Sequence, residues 1–211
     1  VIVPTISFIS PINATRYLGA SPIFMDVDDC YNIDQDKCID FIETKTFFKN
    51  NKTFNLKTKK EIKAIIIVHC FGNAANFEKL AKLCKKRNIK IIEDAAESLG
   101  SIYTKGKFKN KHTGTIGELG IISFNGNKIN TAGNGGVVLT QKRSIYKKCK
   151  YIVNQSKDDP VRFIHNSIGY NYSLSNLSAS LVVAQLENLK FFLKKKREIN
   201  KYYQKAVFKI P

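Results

Sequence analysis

The chain has 211 residues, 43% of them hydrophobic and 25% charged, which supplies a sizeable core and rules out wholesale disorder. Its longest apolar run, Ala64 to Val68, falls far short of the ~18 residues a membrane span needs. The net charge of +18 comes from 35 basic against 17 acidic residues, with Arg only at Arg16, Arg87, Arg143, Arg162 and Arg197. Nucleic-acid sites favour Arg for bidentate contacts. Here Lys is spread along the chain without interleaved aromatics, so the charge reads as a solvated surface: no nucleic acid and no membrane partner is expected.

In chain order, Val1 to Val3 is a β-branched run stopped by Pro4. Phe8 to Leu18 carries apolar residues at helical spacing and ends at Gly19, a usual helix stop. Pro22 to Val27 reads as a strand, and Asp34 to Ile42 as a short helix begun by an Asp cap. Residues 44–62 are polar and basic, and read as a surface insertion with a small hairpin. Ala64 to Val68 has the pattern of a strand buried on both faces. Asn76 to Arg87 is helical in period, and Ile89 to Ile92 is the next buried strand. This strand–helix–strand unit is the signature of parallel α/β architecture. Residues 119–124 and 136–140 are two more strands around a turn-rich stretch. Lys142 to Val153 reads as a helix, and Leu174 to Tyr203 as one long helix.

The five cysteines form no CxxC pair, and no secretory signal is visible, which suits reduced thiols in a cytoplasmic protein. The three histidines are far apart, so no metal site is expected. The chain lacks an initiator Met and starts on a strand, as a fragment of a longer protein would.

Ligands of parallel α/β sheets bind beyond the carboxyl ends of the strands. That rule selects His69-Cys70-Phe71-Gly72, then Glu93-Asp94-Ala95-Ala96-Glu97-Ser98, then Ser123 to Lys128 with the Gly-rich run that follows. Asp94 ends a buried strand, where a carboxylate is costly unless paired. It is either a cap or ion-pair partner, or a carboxylate holding a proton on a bound heteroaromatic nitrogen. Ala95 and Ala96 would then let a flat ring lie against the backbone. Lys128 is either a surface charge or a lysine whose partly desolvated amine condenses with a cofactor carbonyl.

At these residues the chain resembles the DegT/DnrJ/EryC1/StrS family of pyridoxal-phosphate-dependent sugar aminotransferases. The resemblance rests on VIVPTISFISPINATRYLGASPIFMDVD, IIIVHCFGNAANFEKLAKLCKKRNIKIIEDAAESLGS, GKFKNKHTGTIGELGIISFNGNKINTAGNGGVVLT and IGYNYSLSNLSASLVVAQLENL, in the family's order. It covers nearly everything except residues 44–62, an insertion similar to one in legionaminic-type members. The combination NGNK after KHTGTIG looks most like the branch acting on nucleotide-linked 4-keto-6-deoxy sugars.

The resemblance implies an α/β fold, the large domain of a fold-type I enzyme, over residues 1–190. Residues 191–211 would be a helix leading to a small C-terminal domain. It implies pyridoxal 5'-phosphate as cofactor, with Lys128 as the Schiff-base lysine and Asp94 on the pyridinium nitrogen. Glu97 would lie near the ring hydroxyl, Ser123 on the phosphate, and Phe8 and Ala96 on the two ring faces. Asn171, in GYNY, would reach the phosphate of a neighbouring subunit's cofactor, so a homodimer with shared sites is implied. A nucleotide sugar would be the acceptor and an amino acid, glutamate, the donor. Asn134 and Ser173 depart from the family's pattern, and neither removes a catalytic group. The family's dehydratases carry His at the lysine position, so Lys128 argues against them. A 3-keto-sugar aminotransferase and a non-catalytic binding protein are the alternatives.

Overall fold

The computed structural model describes residues 1–208. Its strands are β1 (Ile2–Pro4), β2 (Ile23–Met25), β3 (Thr46–Lys49), β4 (Lys52–Asn55), β5 (Ala64–Val68), β6 (Lys90–Asp94), β7 (Leu119–Ser123) and β8 (Gly136–Leu139). Its helices are α1 (Ser10–Tyr17), α2 (Gln35–Thr44), α3 (Glu78–Lys86), α4 (Arg143–Val153), α5 (Asn176–Glu187) and α6 (Leu189–Val207). The chain forms two compact units: Val1–Ile122 with Val137–Ser173, and Ser123–Gly136 with the segment from Leu174 on.

The first unit carries the expected α/β architecture. Six strands form one sheet in the order β2-β1-β5-β6-β7-β8. The pairs β1–β2, β1–β5, β5–β6 and β6–β7 are all parallel. All five residues of β5 are buried, as an uninterrupted apolar run requires of a strand covered on both faces. Strand alternation then divides the side chains. Ile65, Ile67 and Ile91 join the larger core with Ile33, Cys38 and Ile42 around α2, and with Phe77, Leu80 and Cys84 around α3. Ile66 and Val68 face the other way, with Val3, Ile92 and Ile12 of α1.

Asp34 caps α2 as the sequence predicts: its Oδ1 accepts the N–H groups of Asp36 and Lys37 at 2.9 and 3.0 Å. The insertion at 44–62 contains the β3–β4 hairpin, turned by Asn50 and Asn51, both with positive φ (50° and 57°). Asn tolerates that conformation, which a two-residue hairpin turn of the type I′ kind demands. The insertion is docked more firmly than a surface appendage. Thr53 Oγ1 donates to Arg87 O at 2.6 Å, and Ile62 is buried in the core.

Two predicted elements need correction. Phe8 lies outside α1, which starts at Ser10 with Pro11 in its first turn, the place where a missing N–H costs nothing. The long helix expected over 174–203 is two helices of the second unit, α5 and α6, separated at Asn188. Asn188 Nδ2 donates to Ala184 O at 2.9 Å, and its backbone N–H turns to Gln185 O at 3.1 Å. A short amide side chain that bonds the preceding turn competes with helix continuation. Also within the second unit, Thr131 N–H donates to Gln185 Oε1 (3.0 Å) and Gln185 Nε2 to Thr131 O (2.6 Å), which ties the Gly-rich loop to α5.

Candidate active site

Asp94 is the last residue of β6 and is half-buried. By alternation it shares the face of Ile92, the same side of the sheet as α1. Its backbone C=O accepts from His69 N–H at 3.0 Å, and its Oδ1 accepts from Ala96 N–H at 3.1 Å. Ala95 is fully buried and Ala96 half-buried. The turn then closes with Ser98 N–H on Ala95 O (3.0 Å). The result is a carboxylate fixed at a strand end beside backbone with only methyl side chains.

Glu97, from the same turn, is exposed and accepts from Phe71 N–H at 3.0 Å through Oε2. Phe71 sits in the left-handed region (φ 52°) and packs edge-on against Tyr31, 6.1 Å between centroids. The first unit thus brings Asp94, Ala96 and Glu97 together at the carboxyl ends of β5 and β6, where the sequence places them.

Directly behind Asp94 lies a pair the sequence reading passed over. Glu93 and His69 are both fully buried. His69 Nδ1 accepts from Ala75 N–H at 3.1 Å, which leaves Nε2 as the protonated nitrogen, donating to Glu93 Oε2 at 2.9 Å. Three backbone amides complete the carboxylate: Gly114 on Oε2 (2.9 Å), Ile116 and Gly117 on Oε1 (both 2.6 Å). Burial works to raise the Glu93 pKa, but the His69 bond and the amides outweigh it and hold the carboxyl below its ordinary value. The sequence carries no local signal of the pair; it emerges from the parallel register, which sets Ile67 opposite Glu93, so that alternation puts residues 69 and 93 on one face of neighbouring strands.

In the second unit, Ser123 ends β7 half-buried, and its Oγ accepts from Asn125 N–H at 3.2 Å. Lys128 is half-buried, with its N–H donating to Asn125 O at 3.0 Å in the turn 125–128. The loop closes on itself through Ala132 N–H to Phe124 O (2.9 Å), and Gly133 and Gly135 adopt positive φ. A Cβ on Gly126 would stand 3.7 Å from Gly133 O, an ordinary van der Waals contact.

Phe8 stands just before α1 and is 78% exposed. Asn171 is exposed in the segment after α4, bridged to Asn154 and flanked by the stacked rings of Tyr170 and Tyr172 (4.9 Å, 12°). A hollow lined by Gly114, Thr115, Gly117, Leu139, Thr140 and Gln141 takes in none of the predicted residues. Among the described residues no three His, Cys, Asp or Glu side chains are grouped to hold a metal, and no helix is long and apolar enough to cross a membrane.

Within the first unit, a fixed carboxylate beside alanines has the chemistry to face a ring-nitrogen proton and a flat ring; within the second, a hydroxyl and loop amides have the chemistry to meet phosphate oxygens.

The whole chain, residues 1–211, matches the model of the DegT/DnrJ/EryC1/StrS aminotransferase family. A GDP-perosamine synthase of Escherichia coli O157:H7 is 39% identical over 98% of this chain and 51% of its own length. EpsN of Bacillus subtilis (strain 168), provisionally named a pyridoxal phosphate-dependent aminotransferase, is 35% identical over 95% and 48%. Among solved structures, PseC of Helicobacter pylori, an aminotransferase of pseudaminic acid biosynthesis, superposes with a TM-score of 0.82 at 28% identity, over 100% of this chain and 52% of that one. A family aminotransferase from Brucella abortus gives 0.84 at 25% identity, over 99% and 52%. The chain therefore spans about half the length of the curated relatives it matches. With matched sequence from end to end and the same parallel sheet carrying Asp94, the chain belongs to the DegT/DnrJ/EryC1/StrS aminotransferase family.

Proposed function

We propose that the protein works in pyridoxal 5'-phosphate-dependent amino transfer to a nucleotide-linked keto sugar, the 4-keto-6-deoxy class, with glutamate as amino donor. The observation that carries the reading is Asp94, a carboxylate locked at the end of β6 by the Ala96 amide in a chain whose family is one of aminotransferases. The 4-keto class is supported by the GDP-perosamine synthases of three bacteria among the relatives and by a 4-amino-4,6-dideoxy-sugar transaminase at 31% identity. A UDP-sugar 3-aminotransferase also stands among the relatives, at 30% identity.

The bound cofactor supplies an electron sink for the carbon that gains or loses the amine. The chain's own groups hold and aim it. The Asp94 carboxylate would hold the proton on the ring nitrogen. Lys128 Nζ would hold the cofactor at its carbonyl and would supply the base that moves the proton at the reacting carbon. Ser123 Oγ and loop amides receive phosphate oxygens. Phe8 and Ala96 fix the ring plane, and Glu97 lies toward the ring hydroxyl. Asn171 reaches a phosphate in a second copy of the chain, making the working unit a cytoplasmic homodimer with residues 1–190 as its cofactor-binding domain. In this reading residues 191–211 lead toward a small C-terminal domain.

The test is spectroscopic. Wild type titrated with pyridoxal phosphate should develop the visible absorbance of a lysine-linked cofactor, reducible by borohydride to a stable adduct on Lys128. Lys128→Ala should show neither. An undiminished adduct in Lys128→Ala, found by peptide mapping on another lysine, would remove Lys128 from the role.

A further inference from the structure

The Glu93–His69 pair is a fully buried carboxylate and imidazole with its hydrogen bonds made. A buried ion is poor value for stability, because an apolar replacement of the same shape is often neutral or better. Its use must lie in what it holds in place. On one side, the His69 ring reaches Glu93, while the His69 backbone N–H holds Asp94 C=O. On the other, Glu93 grips the amides of Gly114, Ile116 and Gly117.

That second segment is knit to the turn after Asp94. A Cβ on Gly114 would stand 3.0 Å from Ala95 Cβ, so the two backbones are in close approach. Thr113, fully buried, meets Ser98 through its hydroxyl at 2.7 Å and donates toward Ser98 O at 3.1 Å. His112 Nε2 accepts from Gly100 N–H at 2.6 Å. Glu93 is therefore bonded both to His69, at the end of β5, and to the segment that clamps the turn after Asp94. Tyr103 closes the site: its ring stands edge-on to His69 (6.4 Å) and its hydroxyl donates to Ala75 O at 3.0 Å.

We infer that Glu93 is a positioning residue: by holding His69 and the 114–117 turn at once, it fixes the 94–98 turn and so sets how firmly Asp94 keeps a proton on a bound heteroaromatic ring. This rests on the cofactor reading above. The carboxylate's length and its four acceptor sites matter together. An amide at 93 presents N–H groups to donors. A switch of the His69 tautomer only moves that conflict to Ala75 N–H.

The experiment follows the absorbance of bound pyridoxal phosphate against pH in wild type, Glu93→Gln, Glu93→Asp, Thr113→Val, Asp94→Asn and the double variant Glu93→Gln/Asp94→Asn. Leu80→Ala, in the same core but away from the turn, is the stability-matched control. Glu93→Gln and Thr113→Val should move the titration in the direction of Asp94→Asn. The shift should be about half a pH unit or more, roughly threefold in the proton equilibrium. Glu93→Asp should recover at least half of that shift. The double variant should show less than the sum of the two single shifts, as coupled residues do. Leu80→Ala should not move it. If Leu80→Ala shifts the titration as far, or Thr113→Val and Glu93→Gln leave it unmoved, the positioning role is overturned. Thr113→Val decides alone if Glu93→Gln does not fold. A wild type that binds no pyridoxal phosphate at all overturns the cofactor reading instead, and this inference with it.

Discussion

Glu93→Gln removes one charge and changes no shape, so its cost in stability can be worked from the four hydrogen bonds. The Gln carbonyl can keep the Ile116 and Gly117 amides, both 2.6 Å away. Its NH2 then faces Gly114 N–H and the His69 ring N–H, two donors that Glu93 Oε2 accepted at 2.9 Å each. A buried donor left without an acceptor costs about 1–3 kcal/mol, and two such conflicts give roughly 2–6 kcal/mol. The neutral amide recovers part of the burial penalty the carboxylate carried, which places the net loss near 3 kcal/mol, at the lower edge of the ~3–5 kcal/mol seen when one partner of a buried pair is removed. The assay is urea unfolding of both proteins across pH. Because the folded carboxyl is held below its ordinary value of 4.5, its contribution is complete above that pH. It is lost as pH falls through the lower folded value. The gap between wild type and Glu93→Gln should be constant near neutrality and close in acid. A difference under about 1 kcal/mol at pH 7, against that range, or a gap that widens in acid, would refute the assignment of Glu93 as the ionised acceptor.

Two further outcomes test the local reasoning. Asp34→Ala should cost about 1 kcal/mol by leaving the N–H groups of Asp36 and Lys37 without their cap, read as a lower midpoint in urea with an unchanged slope. Gly120→Ala should be far more damaging, since the added Cβ would fall 1.8 Å from Gly114 O, a backbone atom. Because Gly114 is also held by Glu93, that variant should lose both soluble yield and pyridoxal phosphate binding, measured by expression and absorbance.

The elements legible in the sequence were those written in local chemistry. Ala64 to Val68 carries no polar residue, so only a strand covered on both faces suits it, and its five residues are all buried. Asp34 precedes a helical period and caps it. The hairpin in residues 44–62 was legible only as an insertion with a small hairpin; that Asn50 and Asn51 make its turn, with positive φ, emerges from the structure. Asn188 was missed because apolar spacing runs on through it: Leu186 and Leu189 continue a helical stripe, and period alone carries no trace of a side chain bonding back to Ala184 O.

The candidate site divides along the same line. Asp94 could be read because a strand-end carboxylate beside two alanines is a local pattern, and the fold gives it the Ala96 amide in the same short turn. Glu93 stands next to it in sequence and escaped notice because its partners are distant: His69 is 24 residues away, Gly114 21 and Gly117 24. A carboxylate that faces a core is intelligible only once the groups that meet it are known. The pair of adjacent acids is then one device with two faces. Alternation sends Asp94 toward the α1 side of the sheet and Glu93 into the core, where four N–H groups fix it. The backbone between them carries that fixity about 3.8 Å, one peptide unit, to the residue proposed to hold the proton.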